Sequence, residues 1–340
     1  TTFPYPDVLP SQTNAWVTAS GNRADGAANM GRHAQRALIV KALRTAIDTS
    51  TELREQQAQY NLIACPQYPE LAPEMRVLNN DRGDTAFSVV DTPLRLDPAD
   101  VVAWATNNKG LGQPFGDGNL ATGDAYSGAF YPSCTTTDLT GNVVVTAPSH
   151  MMLRTIIRSD SVAYPWFAPA GLRRGVVDNA LQIGYLNAQT GEFQPLGVNQ
   201  GLRDVLYTND VNPITFIPGT GITNFGNHTL QGTATALDRI NVARLVAYIR
   251  GRLEIIGNQY LFEPNDTITR SAIQAQITSL MVNLVNKRGL YDYLVVCDLT
   301  NNTPATIDAN ELYVDIAIEP VKAVEFIYIP MRIQNTGTIA

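Results

Sequence analysis

Residues 238–298 read DRINVARLVAYIRGRLEIIGNQYLFEPNDTITRSAIQAQITSLMVNLVNKRGLYDYLVVCD, and this stretch decides the fold of the C-terminal part of the chain. Apolar residues recur at steps of three and four from Val242 to Ile256, which predicts an amphipathic helix. Gly257 follows the last of them and suits a helix C-cap. Residues 259–262 form a short apolar run, which we interpret as a strand ended by Pro264 because proline cannot donate to a sheet.

The same stretch predicts a second helix, which Asp266 would cap at its N-terminus. Its apolar face consists of Ile273, Ile277, Leu280, Met281 and Leu284. Residues 291–298 then form a strand, residues 311–319 alternate apolar and polar side chains as another strand does, and residues 324–329 are a final apolar strand. The expected C-terminal domain therefore has the order αβαββ.

Upstream, short apolar runs alternate with helical patterns between residues 34 and 158. Such alternation predicts an α/β fold: a mixed, mostly parallel sheet flanked by helices. Residues 171–200 are rich in Gly and Asn with short alternating runs, typical of hairpins or loops, and residues 1–30 read as an irregular lead-in. We place a domain boundary near residue 200, which gives an α/β domain over residues 1–200 and a smaller C-terminal domain over 201–340.

Several blocks of the chain, in the right order, resemble the tail sheath proteins of contractile-tailed bacteriophages. They are INVARLVAYI, YLFEPND, RGLYDYLVVCD, NNTPATIDANEL and IEPVKAVEFI in the C-terminal part, and residues 164–171 and 211–221 upstream. The resemblance implies a structural protein whose first domain has a subtilisin-like topology without being a protease. It also implies a subunit that polymerises as hexameric rings around a tail tube and contracts to drive the tube through the host envelope during genome delivery.

The resemblance further implies two contact regions. Terminal arms of sheath proteins complete a small sheet in adjacent subunits, and the matching positions here are Ala323, Val324, Glu325, Phe326, Ile327, Tyr328 and Ile329. A helix of the C-terminal domain faces the inner tube in this family. The polar residues expected there are Arg270, Gln274, Asn283, Lys287 and Arg288, although a solvated helix face explains them equally well.

The partners that the resemblance implies are other sheath subunits, the tail tube protein, and baseplate and tail terminator proteins, within a virion tail assembled in the host cytoplasm. The chain starts Thr-Thr-Phe-Pro without methionine, so we expect a fragment or a processed product. A net charge of −7 without a Lys/Arg cluster argues against direct nucleic-acid binding. We see no apolar run long enough to insert into a membrane, and the widely spaced Cys65, Cys134 and Cys297 indicate free thiols.

The alternative function is an α/β hydrolase-like enzyme. Asp91, Ser149 and His150 follow predicted strands and are the residue types of an orienting acid, a nucleophile and a base. No glycine-framed nucleophile turn surrounds Ser149. Because Ser149 precedes a helix, an N-cap role explains it better, and we expect no catalytic site.

Cofactor and metal sites are not expected either. Residues 110–116 read GLGQPFG, which lacks the spacing of a phosphate-binding loop. His33, His150 and His228 are far apart and lack zinc-ligand spacing. Asp117, Asn119 and Asp124 fit no EF-hand pattern for calcium.

Overall fold

The computed structural model describes residues 30–55, 58–106, 123–187 and 190–325 of the 340-residue chain. Several predictions fall outside these ranges: the lead-in before Met30, the loop at 110–116, the calcium candidates Asp117 and Asn119, and the strand positions Phe326, Ile327, Tyr328 and Ile329.

Helices and strands alternate along most of the described chain. The helices are α1 (Met30–Thr49), α2 (Ala72–Asp81), α3 (Pro98–Ala105), α4 (Pro148–Val162), α5 (Gly171–Arg174), α6 (Gln200–Thr208), α7 (Ile240–Gln259), α8 (Thr267–Asn286) and α9 (Pro304–Asp308). The strands are β1 (Leu62–Ala64), β2 (Phe87–Asp91), β3 (Ser127–Tyr131), β4 (Ser133–Thr137), β5 (Val143–Thr146), β6 (Gln182–Leu186), β7 (Phe193–Pro195), β8 (Val211–Ile217), β9 (Gly221–Asn224), β10 (Leu290–Val296) and β11 (Asp315–Pro320).

A five-stranded sheet with the order β1-β2-β3-β8-β9 is the centre of the larger part of the molecule. The first four strands run parallel, and β9 returns antiparallel to β8 through a tight turn. Every residue of β2 and β3 is buried, as expected of parallel strands covered on both faces. The predicted α/β class with a mostly parallel, helix-flanked sheet is confirmed.

A second, antiparallel sheet has the order β5-β4-β6-β7. Its β6–β7 hairpin lies within the predicted hairpin region. Strand β4 is absent from the sequence prediction because Pro132 separates it from β3 and its Ser-Cys-Thr-Thr-Thr sequence has no apolar alternation. Pairing with β5 and β6 on both sides supplies the order that the local sequence does not specify.

The C-terminal unit consists of α7, α8 and the antiparallel pair β10–β11. The predicted α8 face is confirmed: Ile273, Ile277, Met281 and Leu284 are buried and pack with Leu245 and Ile249 of α7. Asp266 caps α8 by accepting a hydrogen bond from Thr269 N at 2.8 Å. On β11 the predicted alternation is also present, because Ile316 and Ile318 face the core while Ala317 and Glu319 are exposed.

The strand predicted over residues 259–262 is wrong. Helix α7 continues through Gly257 to Gln259, and a turn follows in which Phe262 adopts a φ of +71°. A residue with a left-handed backbone conformation, such as Phe262, cannot belong to a regular strand. Within the described residues the order of elements is therefore α7-α8-β10-α9-β11, without the strand expected between the two helices, and most of the last strand of the predicted αβαββ order lies outside these residues.

The division into residues 1–200 and 201–340 stays a prediction, but the central sheet extends past it. Strand β8 pairs with β3, and β9 pairs with β8, so both belong with the strands before residue 200. Helix α7 connects the two hydrophobic cores: Ala243 and Ala247 pack into the larger core, and Leu245 and Ile249 into the smaller one.

Candidate functional site

Asp91 and Ser149 do meet, but as a helix cap. Asp91 ends β2 with its side chain buried, and its Oδ1 accepts a hydrogen bond from Ser149 N at 2.6 Å. Its Oδ2 accepts from Ser149 Oγ at 2.8 Å and from Gln67 N at 2.8 Å. A carboxylate that accepts free amides at the start of α4 satisfies donors that the helix itself cannot, and it suits the positive end of the helix dipole.

This geometry does not support the hydrolase alternative. Ser149 is completely buried, so a substrate has no access to its hydroxyl. His150 is exposed, and in the described part of the chain it makes no hydrogen bond to Ser149 or Asp91. The expected N-cap role of Ser149 is also corrected: Ala147 occupies the N-cap position, and Asp91 supplies the capping oxygens from the neighbouring strand.

Burial raises the pKa of Asp91 to about 6, and the hydrogen bonds from Ser149 and Gln67 oppose that shift. A carboxyl group with a raised pKa can mark a catalytic acid. Here its oxygens are fully used by the cap, so the perturbation has a structural explanation.

Candidate metal and redox residues are dispersed. No group of three or more His, Cys, Asp or Glu side chains suited to a metal ion occurs within the described ranges. Burial raises the pKa of Cys65 to about 11 and that of Cys134 to about 12, which leaves both thiols unreactive at neutral pH. The carboxylate of Asp124 accepts hydrogen bonds from Ser127 Oγ and Tyr126 N at the start of β3, and His228 pairs with Asp210.

The residues expected on the tube-facing side of α8 divide into two groups. Arg270 is buried and donates to Asn265, and Gln274 donates to Val295 O at 3.0 Å, so both face the inside of the C-terminal unit. Asn283 and Arg288 are exposed, and Lys287 lies 4.9 Å from the ring centroid of Tyr164. The remaining outer surface of α8 is uncharged; its exposed residues include Ser271, Ala275, Gln276, Ser279 and Val282.

The β10–β11 pair leaves two strand edges unpaired within the described ranges. One face of this small sheet packs on α8. Asp292 and Glu319 lie opposite each other in the register, and both are exposed. A two-stranded sheet is stable only with further packing or further strands, and an open edge is a template for another strand.

Residues 321–325, which follow β11, make hydrogen bonds and an ion pair with the rest of the subunit. Val321 N donates to Gly289 O at 3.0 Å, and Asn241 Nδ2 donates to Val321 O at 3.3 Å. Glu325 forms an ion pair with Arg239, with 2.5 Å between Oε1 and Nε. Of the predicted intersubunit strand, Ala323, Val324 and Glu325 are described and are not in a strand.

A groove of about 620 Å³ lies beside this segment, between α5, α6 and the residues from Trp166 to Ala170. We call it the arginine groove, because Arg174, Arg203 and Arg288 line it. Its aromatic residues are Phe167 and Phe225. The guanidinium carbons of Arg174 and Arg288 lie 4.9 and 5.9 Å from the ring centroid of Phe167, and that of Arg203 lies 4.9 Å from Phe225.

The arginines of this groove repel one another. Burial, Arg173 and Arg288 lower the pKa of the Arg174 guanidinium. The ion pairs found between described residues include none of Arg173, Arg174, Arg203 and Arg288. This cluster could not be predicted from the sequence because Arg174 and Arg288 are distant in it; the adjacent pair Arg173–Arg174 is its one local signal.

Comparison with known families locates the C-terminal unit. Residues 233–334 match the phage tail sheath C-terminal domain. The chain is 34% identical over 169 residues to the tail sheath protein of Vibrio phage KVP40, and 32% identical over 180 residues to that of Enterobacteria phage T4. These alignments cover 50% and 53% of this chain but 24% and 26% of the relatives, so the chain matches about a quarter of their length.

Solved structures extend the similarity to most of the chain. The sheath complex of an extracellular contractile injection system in its contracted state superimposes with a TM-score of 0.64 and 20% identity, over 86% of this chain and 74% of that one. A chain of the anti-feeding prophage baseplate gives 0.62 and 18%, over 87% and 72%. At these identities the comparison establishes a shared fold.

Proposed function

We propose that this chain, whose residues 233–334 match a phage tail sheath C-terminal domain, is the core and C-terminal part of a contractile tail sheath subunit. It polymerises with copies of itself as hexameric rings around the tail tube. The rings rearrange and shorten, which drives the tube through the host envelope. The observation that carries this proposal is the family match over the C-terminal unit, supported by a sheath fold over 86% of the chain.

The free energy for such a contraction would be stored in the subunit contacts. A head-to-tail interface that does not close into a ring generates a helical polymer, and an interface with two packings can change between them without chemistry. We therefore propose a structural protein and not an enzyme. In support, the contact between Ser149 and Asp91, the two residues of the hydrolase alternative that meet, is a buried helix cap.

Strand exchange between subunits would use the open edges of β10–β11. The donated segment would be the apolar run after Glu325, since the ion pair between Glu325 and Arg239 holds the chain up to that residue on its own subunit. This narrows the proposed exchange strand from residues 323–329 to residues 326–329. A second observation supports contacts between subunits: the exposed surface of α8 carries no charged side chain among the described residues.

Contacts with the tail tube would involve the exposed Asn283 and Arg288 and the half-buried Lys287, and not Arg270 or Gln274. Baseplate and tail terminator proteins would bind the ends of the polymer.

We place the subunit in the virion tail, assembled in the host cytoplasm. Similarity to the tail sheath proteins of two phages supports the placement in a virion tail.

Electron microscopy of the full-length protein tests the proposal. We expect tubular polymers, and we expect a version lacking residues 326–340 to stay a folded monomer because its exchange strand is gone. The matched control deletes residues 335–340 alone and should polymerise. Full-length protein that never forms polymers would contradict the sheath assignment, and normal tubes from the 326–340 deletion would contradict the strand exchange.

A further inference from the structure

We propose that the loop tip between α7 and α8, residues Leu261, Phe262 and Glu263, docks into the arginine groove of a second copy of this chain. This inference rests on the proposed function, because it names one contact by which subunits would associate. The groove shares Arg288 with the proposed tube contacts, and its lining includes residues 321–325, which precede the proposed exchange strand.

The loop tip exposes two large apolar side chains and one unpaired carboxylate of the described chain. Leu261 is 61% exposed and Phe262 is fully exposed, although large apolar side chains are seldom presented in this way. Phe262 also has a φ of +71°, a conformation that is strained for a bulky residue. Strained backbone persists where the surrounding structure enforces it, and it concentrates at binding sites. Glu263 is exposed as well, and no ion pair involves it in the described part of the chain.

The groove is complementary in chemistry to this tip. Its volume of about 620 Å³ lies within the range of roughly 300–1,000 Å³ typical of binding pockets. Phe167 and Phe225 offer apolar and aromatic surface for Phe262. Arg174 and Arg288 offer guanidinium groups for the carboxylate of Glu263, and a carboxylate between them would relieve their mutual repulsion.

Two arguments favour the tip of a second copy of this chain as the occupant of the arginine groove: the geometry of head-to-tail association and the complementary charges. The tip and the groove are different surfaces of one chain, so the contact is head-to-tail and propagates along a polymer. The chain carries a net charge of −7, whereas the groove is lined by four basic side chains (Arg174, Arg203, Arg288 and Lys322) against two acidic ones, Asp204 and Glu325. Complementary potentials of this kind steer association and fix the register of the docked surfaces.

Charge exchange tests the proposal without depending on tube formation. The self-association of this chain is measured by sedimentation velocity at low ionic strength. We expect Glu263→Arg, and separately Arg174→Glu with Arg288→Glu, to weaken association at least tenfold, which corresponds to about 1.4 kcal/mol. The variant that carries all three substitutions should regain most of the affinity. Phe262→Gly should also lose association, while its thermal stability stays close to that of the parent because glycine accepts a positive φ.

Matched controls are Arg76→Glu on α2 and Glu254→Lys on α7, two exposed residues outside the tip and groove, which should leave association unchanged. A parent chain that stays monomeric overturns the proposal. So does a triple variant that associates no better than Glu263→Arg or the Arg174→Glu/Arg288→Glu double variant, because Glu263 and the two arginines then do not contact each other. Polymers of the full-length protein that tolerate all these changes would overturn the docking contact and leave the sheath assignment standing.

Discussion

At the scale of single residues, Asp91 shows how a side chain suited to catalysis serves the fold. Its carboxylate accepts three hydrogen bonds that connect β2, the loop at Gln67 and the start of α4. Asp91→Ala removes the acceptor of the buried Ser149 amide and hydroxyl and of the Gln67 amide, and we expect it to lower the free energy of unfolding by about 2–4 kcal/mol. Chemical denaturation measures this. His150→Ala, which removes an exposed neighbour, is the control and should change little; equal losses for both variants would contradict the cap.

The pH dependence of stability follows from the same carboxyl group. Because burial raises the pKa of Asp91 from 3.8 to about 6 in the folded state, the folded chain binds more protons than the unfolded chain between those values. Its contribution to stability is therefore present below about pH 4 and is lost as the pH rises through about 6. Stability measured from pH 4 to 7 should fall less steeply in Asp91→Asn, which does not titrate. Identical slopes in the two proteins would show that Asp91 does not titrate in this window.

How far the sequence predicts each site residue depends on how local its environment is. The cap of α8 by Asp266 and the apolar face from Ile273 to Leu284 depend on neighbours within one or two turns, and both predictions are confirmed. The capping of α4 by Asp91 depends on a residue 58 positions away. Similarly, Arg270 reads as part of a polar face but is buried against Asn265, because the loop before α8 folds back onto it.

At the scale of elements, an ion pair connects α4 with α7. Arg244 lies near the start of α7 with its side chain almost completely buried, and it donates two hydrogen bonds to Asp160, with Nη1–Oδ1 at 2.9 Å and Nη2–Oδ2 at 2.5 Å. Removing one partner of a buried pair leaves the other charge without compensation. Asp160→Ala should therefore cost about 3–5 kcal/mol of unfolding free energy.

The matched control is an exposed acidic residue that pairs with two arginines of the same helix, α4. Asp178 pairs with Arg154 and Arg158 of α4, but all three side chains are well exposed. Asp178→Ala should cost at most about 1 kcal/mol, since exposed ion pairs are screened by water. Denaturation midpoints of the two variants measure the difference, and similar losses would mean that Arg244 finds another partner or reaches solvent.

At the scale of the whole molecule, α7 is shared by both hydrophobic cores, and this decides whether they unfold together. Ala243 and Ala247 pack into the core of the central sheet, while Leu245 and Ile249 pack with α8. Neither core keeps its packing once α7 detaches, so we expect one calorimetric transition for the chain. Two independent domains divided near residue 200 would instead give separate transitions.

Met281→Ala is the substitution that distinguishes these outcomes. Met281 is completely buried in the core formed by α7 and α8, away from the central sheet, and its truncation should cost about 2–5 kcal/mol. If α7 couples the cores, scanning calorimetry of Met281→Ala shows a single transition shifted to lower temperature, with the central sheet destabilised as well. Val282→Ala, its half-exposed neighbour on α8, is the control and should shift the transition little. A split transition, in which only part of the enthalpy moves to lower temperature, would mean that the C-terminal unit unfolds on its own.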